Sequence, residues 1–122
     1  MGKAIVAGVG PIEGLGASLC ARFAQEGLHV IASGRTQSKL EKVVQRIESK
    51  GGSAEAFVAD STDEAATEAL FDKAGSELEL AIYNTGNNTP GRISDMTTEY
   101  FEQSWRVCCL GGFLFGLSLI HI

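Results

Sequence analysis

The 122-residue sequence has no excess of basic charge. Ten Lys and Arg stand against fifteen Asp and Glu, a net charge of −5. Without a basic footprint, nucleic acid is not an expected partner. Metal-ligand spacing is missing too. The three cysteines, Cys20, Cys108 and Cys109, form no C-x-x-C or Cys/His pattern, so no metal is expected. Adjacent cysteines rarely bridge one another, and a reducing cytoplasm is the simplest compartment.

The start lacks the long apolar region of a signal peptide, because the apolar run after Lys3 meets a glycine turn at Gly8. No charge-free run reaches the roughly 20 residues of a membrane span. Residues 107–122 carry no Asp, Glu, Lys or Arg but include three glycines, and are expected to form a buried helix.

What is present is a packable chain. Apolar residues make up 44%, enough for one core. Fifteen glycines sit at the edges of periodic segments, which argues for tight turns. The first stretch sets the pattern: an apolar strand over 4–8, a glycine turn Gly10-x-x-x-Gly14-Leu15-Gly16, a helix closed by Gly27, and a strand over 28–33.

Leu15, Leu19 and Phe23 are expected on the inner stripe of that first helix, with Gly16, Cys20 and Ala24 beside it. A second helix presents Leu40, Val43, Val44 and Ile47, with capping-box spacing from Ser38 to Glu41. A strand over 54–59 follows. The third helix has the same spacing from Ser61 to Glu64, and Ala66, Ala69, Leu70 and Lys73 are expected inside. A fourth strand spans 80–83, and a loop 84–92. A last helix, from about Thr97, is expected to share Phe101, Trp105, Cys108, Cys109 and Gly112 on one face. Cys108 and Cys109 are read as buried core residues.

Strands alternating with helices run parallel, joined by right-handed crossovers. The expected fold is therefore α/β, a Rossmann-type doubly wound parallel sheet truncated after about four strands. Ligands of such sheets bind at the carboxyl ends of the strands.

Several groups stand at those ends. The glycine turn can cradle a pyrophosphate against a helix start; Gly8 or Gly10 can be its first glycine. After the second strand comes Ser33-Gly34-Arg35-Thr36, with no carboxylate to take a ribose 2′-hydroxyl. A guanidinium there suits a 2′-phosphate, so NADP(H) is favoured over NAD(H). Asp60 can accept from an adenine amino group or serve the N-terminus of the third helix, with Ser61 as its cap. Asn84-Thr85-Gly86 reads equally as a strand tie beside a cofactor or as a plain turn.

Together, Gly10-x-x-x-Gly14-Leu15-Gly16, Phe23 to Gly27, Gly34-Arg35, Asp60-x-Thr62-Asp63 and Asn84-Thr85-Gly86 resemble the short-chain dehydrogenase/reductase family, in order and spacing, from Ile5 to about Phe115. The resemblance implies an NAD(P)(H)-binding subunit that transfers hydride between a nicotinamide and a carbonyl or alcohol. Gly8 or Gly10, with Gly14, Leu15 and Gly16, would hold the pyrophosphate. Arg35 would select the cofactor, Asp60 and Ser61 would contact adenine, and Asn84 and Gly86 would line the ribose and nicotinamide side. It also implies a small-molecule substrate and a homo-oligomer for the full-length protein.

The sequence departs from the family at three places. Val9 or Ala7 precedes the first glycine where threonine is usual. Cys108 stands where the family commonly has a proton-relay asparagine. The family's Tyr-x-x-x-Lys is missing: Asn87 and Ser104 follow Tyr83 and Tyr100 at four residues. No catalytic residue is therefore assigned, and the 122 residues are expected to be inactive alone. The uncharged ending 117–122, inside a helical run, reads as a cut gene with foreign terminal residues. The fourth strand is then expected to form an apolar edge that lowers solubility. The substrate is left open. A non-catalytic nucleotide-binding domain is the alternative reading, and an S-adenosylmethionine-dependent methyltransferase a weaker one.

Overall fold

The computed structural model describes residues 1–87 and 89–122. Four parallel strands, β1 (Lys3–Ala7), β2 (His29–Gly34), β3 (Ser53–Val58) and β4 (Leu78–Tyr83), lie in the order β3-β2-β1-β4. The helices between them are α1 (Leu15–Gln25), α2 (Gln37–Ser49) and α3 (Glu64–Ala74). A long terminal helix comprises α4 (Thr98–Trp105), a π-helical segment (Arg106–Leu110) and α5 (Gly111–Ile120).

Strand alternation sends side chains to two cores. Val6, Val30 and Ala32 meet α1 and α2 through Ala17, Cys20, Leu40, Val43 and Ile47. Ile5, Ala7 and Ile31 meet Leu70, Phe71, Ala74 and Phe115 on the opposite face. Helices thus cover both faces of the sheet, as the doubly wound reading requires. The chain steps from β1 to β2 on one side and returns to β4 on the other, so the strand order reverses beside β1.

Four local expectations are corrected. In α1 the buried residues are Gly16, Ala17 and Cys20, while Leu15 points to solvent. The helix meets the sheet through its smallest residues, because a Cβ on Gly16 would lie 2.6 Å from the Gly8 carbonyl oxygen. That approach turns Leu15 outward. The caps differ from the capping-box spacing. Thr36 is the N-cap of α2, with no side-chain cap bond. Asp63 caps α3 by accepting from the Ala66 N–H at 3.1 Å.

The inner face of α3 is Thr67, Leu70, Phe71 and Ala74 rather than Ala66, Ala69 and Lys73. The bulky Phe71 fixes this phase, its ring meeting Phe115 edge-on at 4.9 Å.

The terminal helix differs most. Phe101, Trp105, Cys108 and Cys109 are exposed, and the inward residues are Gly111, Leu114 and Phe115. A π turn accommodates an extra residue, so a 3.6-residue pattern read through it loses phase. The helix expected over 107–122 is buried on one face only, through Gly111, Leu114 and Phe115, while Cys108, Cys109, Phe113, Leu119 and Ile120 are exposed. Thr98–Ile120 is one helix long and apolar enough to cross a membrane by length and composition. Its buried side chains nevertheless pack against α3 and β4. The expected loop 84–92 follows β4; its residue Asn88 lies outside the described residues.

Candidate functional site

The site grows from the end of β1. Gly8 has φ of +91°, in the left-handed region that favours glycine. A Cβ there would lie 2.5 Å from the Thr85 nitrogen, so β1 and β4 leave the sheet in close backbone contact. The Gly8 and Val9 N–H groups both donate to the Ser33 carbonyl at 3.0 Å, which ties the turn to β2. On the other side Asn84 donates its side-chain amide to the Gly8 carbonyl at 3.1 Å, and its backbone N–H to the Ala7 carbonyl at 2.9 Å. Of the two readings of Asn84, the strand tie is the geometry present.

These contacts frame a cleft of about 450 Å³ at the carboxyl ends of the strands, where strand order reverses. Seven of the ten sequence candidates line it: Gly8, Gly10, Arg35, Asp60, Ser61, Asn84 and Gly86. Gly14, Leu15 and Gly16 do not. Gly14 is the N-cap of α1, Leu15 faces solvent, and Gly16 seats α1 on the turn.

Arg35 and Lys39 form the cationic wall, with the N-terminus of α2 at Thr36 between them. Asp60 faces them. Its Oδ1 accepts from the Thr62 N–H at 2.9 Å and the Thr62 hydroxyl at 2.8 Å. Those two bonds, followed by the charges of Arg35 and Arg106, hold its carboxyl below the usual aspartate range. Ser61 is not the cap of α3; its hydroxyl shares a 3.1 Å hydrogen bond with Thr85.

Sequence reasoning missed part of the wall. Lys39 lies one helical turn beyond Arg35, a spacing that could have flagged a second cation. Gln103 and Val107 are i and i+4 on the terminal helix, on a face other than the one expected. Thr36, Thr85 and Asn87 also line the cleft. Among the described residues the lining includes no Tyr, His or Cys, and no cluster of His, Cys, Asp and Glu able to hold a metal is found. The arrangement can bind and orient an anionic ligand.

Known proteins share this architecture. The family model for short chain dehydrogenases matches residues 3–120. The chain is 31% identical over 107 residues to the 2,3-dihydro-2,3-dihydroxybenzoate dehydrogenase of Bacillus subtilis (strain 168), covering 85% of this chain and 41% of that protein. It is 32% identical over 114 residues to elsinochrome reductase 1 of Elsinoe fawcettii, covering 90% of this chain and 42% of the relative. The chain thus spans about two-fifths of the length of these relatives. A solved short-chain dehydrogenase from Rhodopseudomonas palustris superposes with a TM-score of 0.87 at 32% identity, over 96% of this chain and 55% of that one. A short-chain dehydrogenase/reductase from Serratia marcescens gives 0.88 at 25% identity, over 98% and 50%. With the family model spanning nearly every residue and the reversed strand order in place, the chain belongs to the short-chain dehydrogenase family.

Proposed function

We propose that these residues form the cofactor-binding part of an oxidoreductase that uses NADP(H) in preference to NAD(H). Family membership implies NAD(P) binding; the nicotinamide supplies the hydride chemistry when bound. The observation that carries the reading is the open space at Gly10 and Gly86. Both line the cleft, neither has a positive φ, and among the described residues a Cβ on either would meet nothing within 4 Å beyond its chain neighbours. Among the described residues no contact requires glycine at these two positions, whereas a ligand lying close to the backbone would.

The donor chemistry fits the same ligand. Neither α1 nor α2 has a side-chain cap, which leaves first-turn N–H groups for anions. Gly8 and Val9 would not donate, because Ser33 already takes their N–H groups; Gly8 instead shapes the turn. Leu15 and Gly16 would serve the phosphates through their backbone N–H groups at the start of α1, while Gly14, whose own N–H donates to the Pro11 carbonyl at 2.9 Å, would shape the turn as the N-cap. Arg35 and Lys39 would pair with a 2′-phosphate, Asp60 and Ser61 would meet the adenine, and Asn84 and Gly86 would border the ribose and nicotinamide. The substrate is a small carbonyl or alcohol. Without a Tyr-x-x-x-Lys, the 122 residues bind cofactor but turn nothing over alone.

The full protein acts as a homo-oligomer in the cytoplasm, without nucleic acid or membrane. The exposed Phe101, Trp105 and Phe113 of the terminal helix support self-association. Calorimetric titration with NADPH and NADH tests the cofactor reading. A charge-assisted bond worth about 1.5–3 kcal/mol predicts roughly 10–150-fold tighter NADPH binding. Arg35→Glu should remove that preference. NADH binding as tight as NADPH would refute the selectivity, and no binding of either would refute the site.

A further inference from the structure

The last residue of β4 and the residue that follows it make two attachments in opposite directions. Asn84 reaches the Gly8 turn, as described. Tyr83, its neighbour, reaches the terminal helix: its hydroxyl donates to the Val107 carbonyl in the π-helical segment. Val107 is part of the cleft wall. One strand end therefore links the glycine turn to the opposite wall.

The contact is built from both sides. Gly111, one turn beyond Val107, is buried against the Tyr83 hydroxyl, and a Cβ there would collide with it and lie 3.1 Å from the Ser61 carbonyl. The Tyr83 ring packs against Phe115 at 5.3 Å. The aromatic body is thus seated by apolar contacts that phenylalanine would keep, while the hydroxyl alone engages the helix backbone. A π turn loosens the regular ladder of carbonyls, and an outside donor at such a turn fixes it in one arrangement.

We propose that Tyr83 is a positioning residue: by holding the Val107 carbonyl, its hydroxyl sets the π turn, and with it the helix wall of the cleft, at a fixed distance from the glycine turn. Tyr83 touches no reacting atom in this role. The binding consequence rests on the cofactor reading; the placement of the turn does not.

The test is Tyr83→Phe in the full chain, read two ways. Amide hydrogen exchange of the ligand-free protein is expected to speed up at least about tenfold at residues 110–112, while β1 amides keep their protection. NADPH binding is expected to weaken about five- to tenfold, the loss of one hydrogen bond. Faster exchange across the whole sheet would mean a merely structural role and would overturn the inference. Unchanged exchange at 110–112 would overturn it as well, as would unchanged NADPH affinity where the parent chain binds NADPH. If the parent chain binds no NADPH, the cofactor reading fails, and the exchange comparison alone decides whether Tyr83 sets the turn. A second variant reaches the contact from the helix. Gly111→Ala pushes against the hydroxyl, so its effect on exchange at 110–112 should be smaller in the Tyr83→Phe background. An equal effect in both backgrounds would overturn the inference.

Discussion

Replacing Gly8 and Gly10 separately by alanine distinguishes a glycine that the protein needs from one that the ligand needs. At Gly8 the cost has two sources. An alanine at φ of +91° carries left-handed strain of about 1–2 kcal/mol. Its Cβ would also lie 2.5 Å from the Thr85 nitrogen and 2.6 Å from the Asn84 carbonyl carbon. Both are backbone atoms that no rotamer change can move aside, and such overpacking adds about 1–3 kcal/mol. Gly8→Ala should therefore cost about 2–5 kcal/mol, a large part of the roughly 5–15 kcal/mol that holds a typical domain together. With a urea m-value of about 1–3 kcal/mol/M, the midpoint followed by circular dichroism should fall by roughly 1 M or more. At Gly10 the backbone strain is absent, and no described residue beyond its chain neighbours lies within 4 Å of the Cβ position. Gly10→Ala should leave the midpoint in place within about 0.5 kcal/mol while its Cβ intrudes on the ligand and weakens NADPH binding. A Gly8→Ala chain with the parent's midpoint would refute the packing argument. A Gly10→Ala chain that binds NADPH normally would refute the cradle.

Two further outcomes follow from burial and charge. Cys108 and Cys109 are exposed, whereas burial pushes the Cys20 thiol up to about 12; two thiols should react quickly with Ellman's reagent and the third only on unfolding, and three fast thiols would contradict the α1 packing. Burial of Glu55 opposes its ionisation, but its 2.7 Å hydrogen bond with His29 and the nearby Lys73 ammonium outweigh that and hold the carboxyl below its ordinary value. A depressed folded pKa gives stability that is complete above the ordinary carboxylate range and lost as pH falls through it. Glu55→Gln should thus cost only about 0.5 kcal/mol near neutral pH, because solvent screens this partly exposed pair, and flatten the acid limb of the stability profile; an unchanged acid limb would contradict the assignment.

The sequence by itself determined the elements whose signals are local. Alternation of apolar strands and amphipathic helices, with glycines between them, placed four strands and their crossovers. It also placed every strand end that borders the cleft, because a parallel βα chain must deliver its turns to one edge of the sheet. Leu40, Val43 and Ile47 faced inward as their spacing required, since α2 is regular along its length.

Tertiary structure decided what depends on contacts between distant residues. Which face of α3 is buried follows from Phe71 meeting Phe115, residues that no local window contains together. The terminal helix changes face at a π turn that its composition does not announce, so Trp105 and Cys108 emerge and Gln103 and Val107 reach the cleft. Leu15 yields its inward place because Gly16 lets α1 sit close to the Gly8 turn. Asn84 was equally a loop residue or a tie until β4 lay beside β1 and brought the Gly8 carbonyl within 3.1 Å of its amide. Side-chain periodicity is a property of a segment, but its phase and its partners are set by the surface against which it packs.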